Sequence, residues 1–78
     1  MFVKSLALEL APRGIRVNMV SPGQLENSVD LPSDLSKVIP MGRAGTLDEL
    51  VRAVLWIASE DASYVTGQDL DIAGGLML

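Results

Sequence analysis

Apolar residues recur at helical spacing in two stretches of the chain, the first of which is residues 2–11. Four residues of this stretch share one helical face: Val3, Leu6, Ala7 and Leu10. Pro12 and Gly14 then end the pattern, because proline disfavours a helical residue before it and glycine readily takes the left-handed conformation of a helix stop. No Ser, Thr, Asp or Asn precedes Phe2, so we expect this stretch to be the end of a helix.

The second helical stretch begins at Thr46, because Thr46 and Glu49 have the spacing of a capping box. Six apolar residues follow at helical spacing: Leu47, Leu50, Val51, Val54, Leu55 and Ala58. Trp56 and Ile57 widen this apolar arc beyond a single face. We therefore predict a helix over 47–58 that packs against two surfaces.

Two short stretches read as strands. Residues 15–20 are rich in β-branched side chains and lie between Gly14 and the sequence Ser21-Pro22-Gly23. Their apolar residues do not alternate cleanly, which is typical of a parallel strand covered on both faces. Residues 69–72 alternate between polar and apolar and end before Gly74. Strand, helix and strand in this order predict an α/β fold, a βαβ unit with neighbouring parallel strands and a right-handed crossover.

Residues 24–40 lack a periodic pattern, because isolated Leu and Val residues are mixed with Glu, Asn, Asp, Ser and Pro. A loop of this length in a compact domain is usually functional, and we predict a lid over a substrate or cofactor. With few apolar anchors to offset its conformational entropy, it is expected to be the least ordered part of the chain.

The composition narrows the possible functions. The 78 residues include no cysteine and no histidine, which excludes disulfides, zinc-finger arrangements and triads that use either residue, and no carboxylate cluster indicates a metal site. A net charge of −4 argues against a nucleic-acid partner. No apolar run approaches the ~18 residues of a membrane span and no signal pattern is present, so we expect a cytoplasmic protein without a membrane partner. At 49% the hydrophobic content is high for so short a chain, which suggests that further segments cover its apolar faces.

Three sequence blocks, in order, carry a resemblance to a known family. They are Asn18 to Gly23, which fits Asn-x-Val-x-Pro-Gly, Pro40 to Gly45, which fits Pro-x-Gly-Arg-x-Gly, and Ser63 to Gln68. Together they cover nearly the whole chain. The sequence resembles the C-terminal third of the short-chain dehydrogenase/reductase family and is similar to its 3-oxoacyl-carrier-protein reductase-like members.

The resemblance implies a fold and an activity. The chain would be the C-terminal βαβ portion of a Rossmann-like doubly wound sheet, in an oxidoreductase that moves a hydride between NAD or NADP and a carbonyl or alcohol substrate. Its cofactor contacts would come from Pro22, Gly23, Leu25 and Asn27, with Asn27 standing where the family commonly has Thr. The chain leaving Pro22-Gly23 should present unpaired amides, so we expect the backbone of Leu25 to meet the nicotinamide carboxamide. The family also implies a homo-oligomer, a dimer or a tetramer.

Several elements of the family do not occur in these residues. The phosphate-binding loop and the catalytic Ser, Tyr and Lys have no counterpart, since Tyr64 is followed four positions later by Gln68 instead of Lys, and Lys4 reads as a solvated helix residue. We expect Arg43 to pair with a carboxylate or a carbonyl. Residues 1–78 are therefore expected to form a single partial domain that is inactive alone. The alternative is a non-catalytic fragment that serves only as an oligomerisation or interaction module.

Overall fold

The computed structural model describes residues 2–29 and 31–76. Helix α1 spans Phe2–Leu10, strand β1 Met19–Pro22, helix α2 Leu47–Ala58 and strand β2 Asp69–Ile72, with short 3-10 turns at Ala11–Arg13, Leu35–Lys37 and Glu60–Ala62. The two strands pair in parallel, with Met19 opposite Asp69 and Pro22 opposite Ile72. The predicted βαβ unit with parallel strands is confirmed, and the bounds predicted for α2 and β2 are those observed. The hand of the crossover stays a prediction.

The first strand begins later than predicted and includes Pro22, so the bounds 15–20 were wrong. Residues before Met19 pair irregularly: Val17 N–H donates to Thr66 Oγ1 at 3.1 Å, and the side chain of Asn18 replaces part of the ladder. Pro22 is tolerated at the end of the strand because Met19 N–H and Gly23 N–H donate toward β2, at 2.8 Å and 3.0 Å. In a parallel ladder these alternate positions share one direction, so the nitrogen of Pro22 points away from β2.

Helix α1 ends as its sequence predicts. Gly14 has a φ of 75°, in the left-handed region, and its N–H donates to the carbonyl of Ala11 at 2.9 Å. Ala7 is buried on the predicted apolar face, whereas Phe2 and Leu8 are exposed. Within residues 2–29 and 31–76, no helix is long and apolar enough to cross a membrane.

Helix α2 begins with the predicted capping box. Glu49 N–H donates to Thr46 Oγ1 at 3.1 Å, and Thr46 N–H donates back to Glu49 Oε1 at 2.9 Å. One face of the helix turns inward and buries Ile57. The neighbouring face carries a stripe of large apolar side chains that stay exposed: Leu47, Val51, Val54 and Leu55.

The loop between β1 and α2 is anchored more firmly than its sequence predicts. Ile39 is only 1% exposed, the most buried large side chain in the part of the chain described. It packs against Gly74, whose φ is +61° and where an added Cβ would lie 2.9 Å from Ile39 Cγ2. Met41 N–H also donates to the carbonyl of Gly74 at 3.0 Å. Residues 24–40 therefore have a buried apolar anchor at the end nearest α2, and the expectation that this loop is the least ordered part of the chain stays a prediction.

Candidate functional site

The two strands end side by side, and the chain leaving β1 passes very close to the chain leaving β2. Gly23 N–H donates to the carbonyl of Ile72 at 3.0 Å. A Cβ added to Gly23 would lie 2.7 Å from Ala73 Cβ, closer than real side chains approach. Only glycine fits this crossing, so Gly23 fixes the path by which the chain reaches the next residues.

The segment after Gly23 is held from one side by the chain that leads into α2. Leu25 and Gly45 form an isolated parallel bridge. Gly45 N–H donates to the carbonyl of Gln24 at 2.9 Å, and Glu26 N–H donates to the carbonyl of Gly45 at 2.8 Å. Because the two bridging bonds use the neighbours of Leu25, the N–H and C=O of Leu25 itself point away from Gly45.

On that other side, both backbone groups of Leu25 are engaged by one residue, Ser28. Leu25 N–H donates to Ser28 Oγ at 3.1 Å. Ser28 N–H donates to the carbonyl of Leu25 at 2.9 Å. The expectation that the amides leaving Pro22-Gly23 are unpaired was therefore wrong for Leu25, because a serine three positions later closes a tight turn on them. Leu25 and Ser28 are both partly exposed, so the pair of groups lies near the surface.

The four residues predicted to contact a cofactor lie along one edge. Pro22 ends β1, Gly23 crosses Ala73, and Leu25 presents its backbone beyond the strand end. Asn27 lies in the turn that follows, where its side chain is exposed. Ser28 was missed from the sequence, although a serine in a short turn after a strand commonly bonds to nearby backbone.

An ion pair between Arg43 and Glu49 lies at the start of α2, beside this edge. Arg43 donates to both carboxylate oxygens of Glu49, each at 2.8 Å, and to the carbonyl of Ala44 at 3.2 Å. The hydrogen bonds from Arg43, together with the N–H of Thr46, lower the pKa of Glu49 to about 2. The same pairing raises the pKa of Arg43. The expected partnership of Arg43 with a carboxylate is present, and it spans Gly45, the residue that bridges to Leu25.

A shallow cavity of about 210 Å³ lies between this ion pair and the end of β2. Gln24, Met41 and Gly74 line it together with Arg43 and Asp71. Among the residues that the structure describes, no group of carboxylates, histidines or cysteines is arranged to hold a metal ion.

At the opposite end of the strands, Lys4 and Asn18 join segments of the chain, whereas Tyr64 is exposed. Tyr64 is fully exposed on a turn before β2, away from the Leu25 edge. Lys4 is not simply solvated, because its Nζ donates to the carbonyl of Gly67 at 3.2 Å. Asn18 Nδ2 donates to the carbonyl of Val65 at 3.0 Å, and its Oδ1 accepts from Gln68 N–H at 3.0 Å. Lys4 and Asn18 therefore hold segments of the chain together at this end.

Comparison with known proteins finds relatives along nearly the whole chain. The profile of a family described as enoyl-(acyl carrier protein) reductase matches residues 1–77. A 3-oxoacyl-[acyl-carrier-protein] reductase of Buchnera aphidicola is 45% identical over 84 aligned residues, covering 99% of this chain and 34% of that protein. A 3β-hydroxysteroid dehydrogenase of Eggerthella lenta is 40% identical over 100% of this chain and 33% of its own length.

A solved structure agrees in fold as well as in sequence. The crystal structure of a 3-oxoacyl-[acyl-carrier protein] reductase with bound NAD from Brucella melitensis superposes with a TM-score of 0.89 and 42% sequence identity. The match covers 99% of this chain and 29% of that one. This chain thus spans about a third of the length of the relatives it matches.

The parallel βαβ unit, with its open edge at the carboxyl ends of both strands, places the chain among the Rossmann-like α/β folds. Within that class, it belongs to the short-chain dehydrogenase/reductase family.

Proposed function

We propose that this chain is the cofactor-edge segment of an NAD(P)-dependent oxidoreductase that moves a hydride between nicotinamide and a carbonyl or alcohol substrate. The observation that carries the proposal is the turn at Leu25, whose backbone N–H and C=O point away from Gly45, beyond the carboxyl ends of the parallel strands, and bond locally to Ser28. Ligands of open α/β sheets bind at this edge. The NAD bound in the Brucella melitensis reductase supports the same class of cofactor.

The residues present fit the amide end of a nicotinamide cofactor. A carboxamide has one carbonyl acceptor and one NH₂ donor, which complement the N–H and C=O of Leu25. The exposed side chain of Asn27 can add a further hydrogen bond from the same turn. Pro22 and Gly23 act through the backbone, because they set the path that brings Leu25 past the strand end. Either NAD or NADP satisfies these contacts.

A bound nicotinamide cofactor would supply or accept the hydride, which carries two electrons. Reduction of a carbonyl would also need a proton for the substrate oxygen. We assign no proton donor to this chain, since Tyr64 lies at the opposite end of the strands. The work of these residues is to bind and orient the cofactor.

Residues 24–40 would form the lid over the substrate. The bridge between Leu25 and Gly45 fixes the lid where it leaves β1. Ile39, buried against Gly74, fixes it where it approaches α2. Between these two anchors Val29 is 85% exposed, so the loop around Val29 can move without uncovering that side chain.

Cofactor titration tests the proposed function. The protein expressed from its complete gene is titrated with NADH and with NADPH, and cofactor binding is followed by fluorescence. Oxidation of the bound cofactor is then measured with small ketones and 3-oxoacyl thioesters. We expect saturable binding of at least one cofactor and its oxidation by a carbonyl compound. Absence of binding by either cofactor would contradict the proposal.

The exposed stripe of α2 favours a second function, that of a module for self-association. Leu47, Val51, Val54 and Leu55 form a continuous apolar face that needs a partner. Residues 1–78 alone should sediment as an oligomer, bind neither cofactor and reduce no carbonyl. Leu55→Glu should shift them toward the monomer, whereas Leu8→Glu on α1 serves as the matched exposed control. A stable monomer that binds NADPH at micromolar affinity would contradict this picture of the isolated chain.

A further inference from the structure

The turn after β1 contains its own substitute for a carboxamide. Ser28 presents one acceptor, Oγ, and one donor, its N–H, to the donor and acceptor of Leu25. The two bonds measure 3.1 Å and 2.9 Å. A primary amide offers the same pair of groups. The carbonyl of Leu25 has two lone pairs and can accept from both, but the N–H of Leu25 has a single hydrogen, so Ser28 Oγ and a carboxamide oxygen compete for it.

We propose that Ser28 competes with the nicotinamide carboxamide for the backbone of Leu25, and so sets the affinity of this site for the cofactor. This inference rests on the proposed function. Leu25 cannot turn to avoid the competition, because the bridge to Gly45 holds its neighbours Gln24 and Glu26 from the other side. Binding therefore has to displace the bond from Leu25 N–H to Ser28 Oγ.

The number of hydrogen bonds made by Leu25 N–H is the same before and after the cofactor binds. The bonds of Ser28 are local to a four-residue turn at the surface, so they can open without disturbing the strands. Binding exchanges the bond from Leu25 N–H to Ser28 Oγ for a bond from Leu25 N–H to the carboxamide oxygen. Because an intramolecular hydrogen bond retains only a modest net stabilisation, removing one competing bond should tighten binding by roughly three- to tenfold.

The test uses Ser28→Ala in the protein expressed from its complete gene. This change removes the Oγ acceptor and keeps the N–H, so Leu25 N–H is left free for the carboxamide. We expect the dissociation constants of NADH and NADPH to fall by roughly three- to tenfold. Ser28→Thr, which keeps the hydroxyl, should bind as the unchanged protein does. Ser33→Ala, an exposed serine of the same loop, is the matched control.

A second ligand separates competition from a general change in the loop. ADP-ribose and its 2′-phosphate carry no carboxamide, so their affinities should be the same for Ser28→Ala and the unchanged protein. Weaker or unchanged binding of the nicotinamide cofactors by Ser28→Ala would overturn the competition, and so would equal tightening of ADP-ribose. If the unchanged protein bound neither NADH nor NADPH, the proposed function itself would fail and the inference with it.

Discussion

The two ends of the same pair of strands are built from different kinds of bond. At the amino end, side chains join distant segments: Asn18 bonds to both Val65 and Gln68, and Thr66 Oγ1 accepts from Val17 N–H. At the carboxyl end, the chain after β1 is held by backbone bonds to Gly45 and by the short turn to Ser28. The amino end is closed by side-chain bonds that join the residues before β1 to the residues before β2. The carboxyl end carries local bonds that a ligand can replace.

Arg16 strengthens the contrast, because it ties the amino end of the sheet to the end of α2. Its guanidinium donates to the carbonyls of Ile57 at 2.9 Å, Ser59 at 3.1 Å and Val65 at 3.4 Å. A positive charge at the last carbonyls of a helix also complements the helix dipole. One side chain thus bonds to the carbonyls of Ile57 and Ser59, at the end of α2 where helical partners run out, and adds a second bond to the carbonyl of Val65, which also accepts from Asn18 Nδ2.

Loss of Arg16 should have the largest effect on stability. Arg16→Ala removes bonds from a charged donor to three carbonyls, and we expect it to lower the free energy of unfolding by about 2–3 kcal/mol. Arg13→Ala, at an exposed position of the preceding turn, is the control and should change it by less than about 0.5 kcal/mol. Urea unfolding followed by circular dichroism measures both. Similar losses for the two variants would show that the amino end is not closed in the way described.

Hydrogen exchange should show the contrast without any mutation. Amides of residues 27–29, 31 and 33–36 are expected to exchange faster than those of Met19 and Gly67, whose N–H groups donate to the carbonyls of Gln68 and Val17. Addition of the cofactor should slow exchange in the loop and leave Met19 and Gly67 unchanged. Protection in the loop equal to that of the strands, with no ligand present, would argue against the lid.

The ion pair between Arg43 and Glu49 should have the smallest effect on the free energy of unfolding, and this effect should depend on pH. The pKa of Glu49 is about 2 in the folded chain, below its ordinary value of 4.5. A lowered pKa stabilises the fold above the unfolded pKa, and this stabilisation is lost as the pH falls from about 4.5 toward about 2. The effect is small because both side chains of the pair are half exposed and screened by water.

Glu49→Gln isolates this contribution. The variant should show a smaller loss of stability than the unchanged protein between pH 5 and pH 3, measured as urea midpoints. Asp48→Asn, which changes an exposed carboxylate paired with Arg52, is the control. An identical pH dependence in the Glu49→Gln variant and the unchanged protein would show that the ion pair between Arg43 and Glu49 contributes nothing to stability in acid.

The sequence predicts those elements whose signals are local. The capping box at Thr46 set the start of α2, and Gly14 marked the end of α1. The start of β1 was misplaced because the hydrogen bonds of residues before Met19 go to side chains such as Thr66, which lie far along the chain. The burial of Ile39 could not be predicted from the sequence either, because Ile39 packs against the backbone of Gly74, which lies far along the chain.

The candidate site was predictable in position more than in detail. Pro22 and Gly23 indicated the strand end, and parallel strands place ligands there. The state of the Leu25 N–H was not predictable, because its bond to Ser28 depends on the conformation of the turn between them. A sequence pattern shows which residues share an edge, but it does not show which of their backbone groups are already bonded.

The measurement that tests the central claim most directly compares two substitutions of Leu25. Leu25→Pro removes the N–H that would meet the carboxamide, whereas Leu25→Val keeps it. Neither change deletes a group used in the bridge, because those bonds run from Gly45 N–H to Gln24 and from Glu26 N–H to Gly45. In the protein expressed from its complete gene, Leu25→Pro should weaken NADH or NADPH binding by about tenfold or more, and Leu25→Val by about twofold or less. Equal effects of the two substitutions would contradict a role for the Leu25 backbone in binding the cofactor.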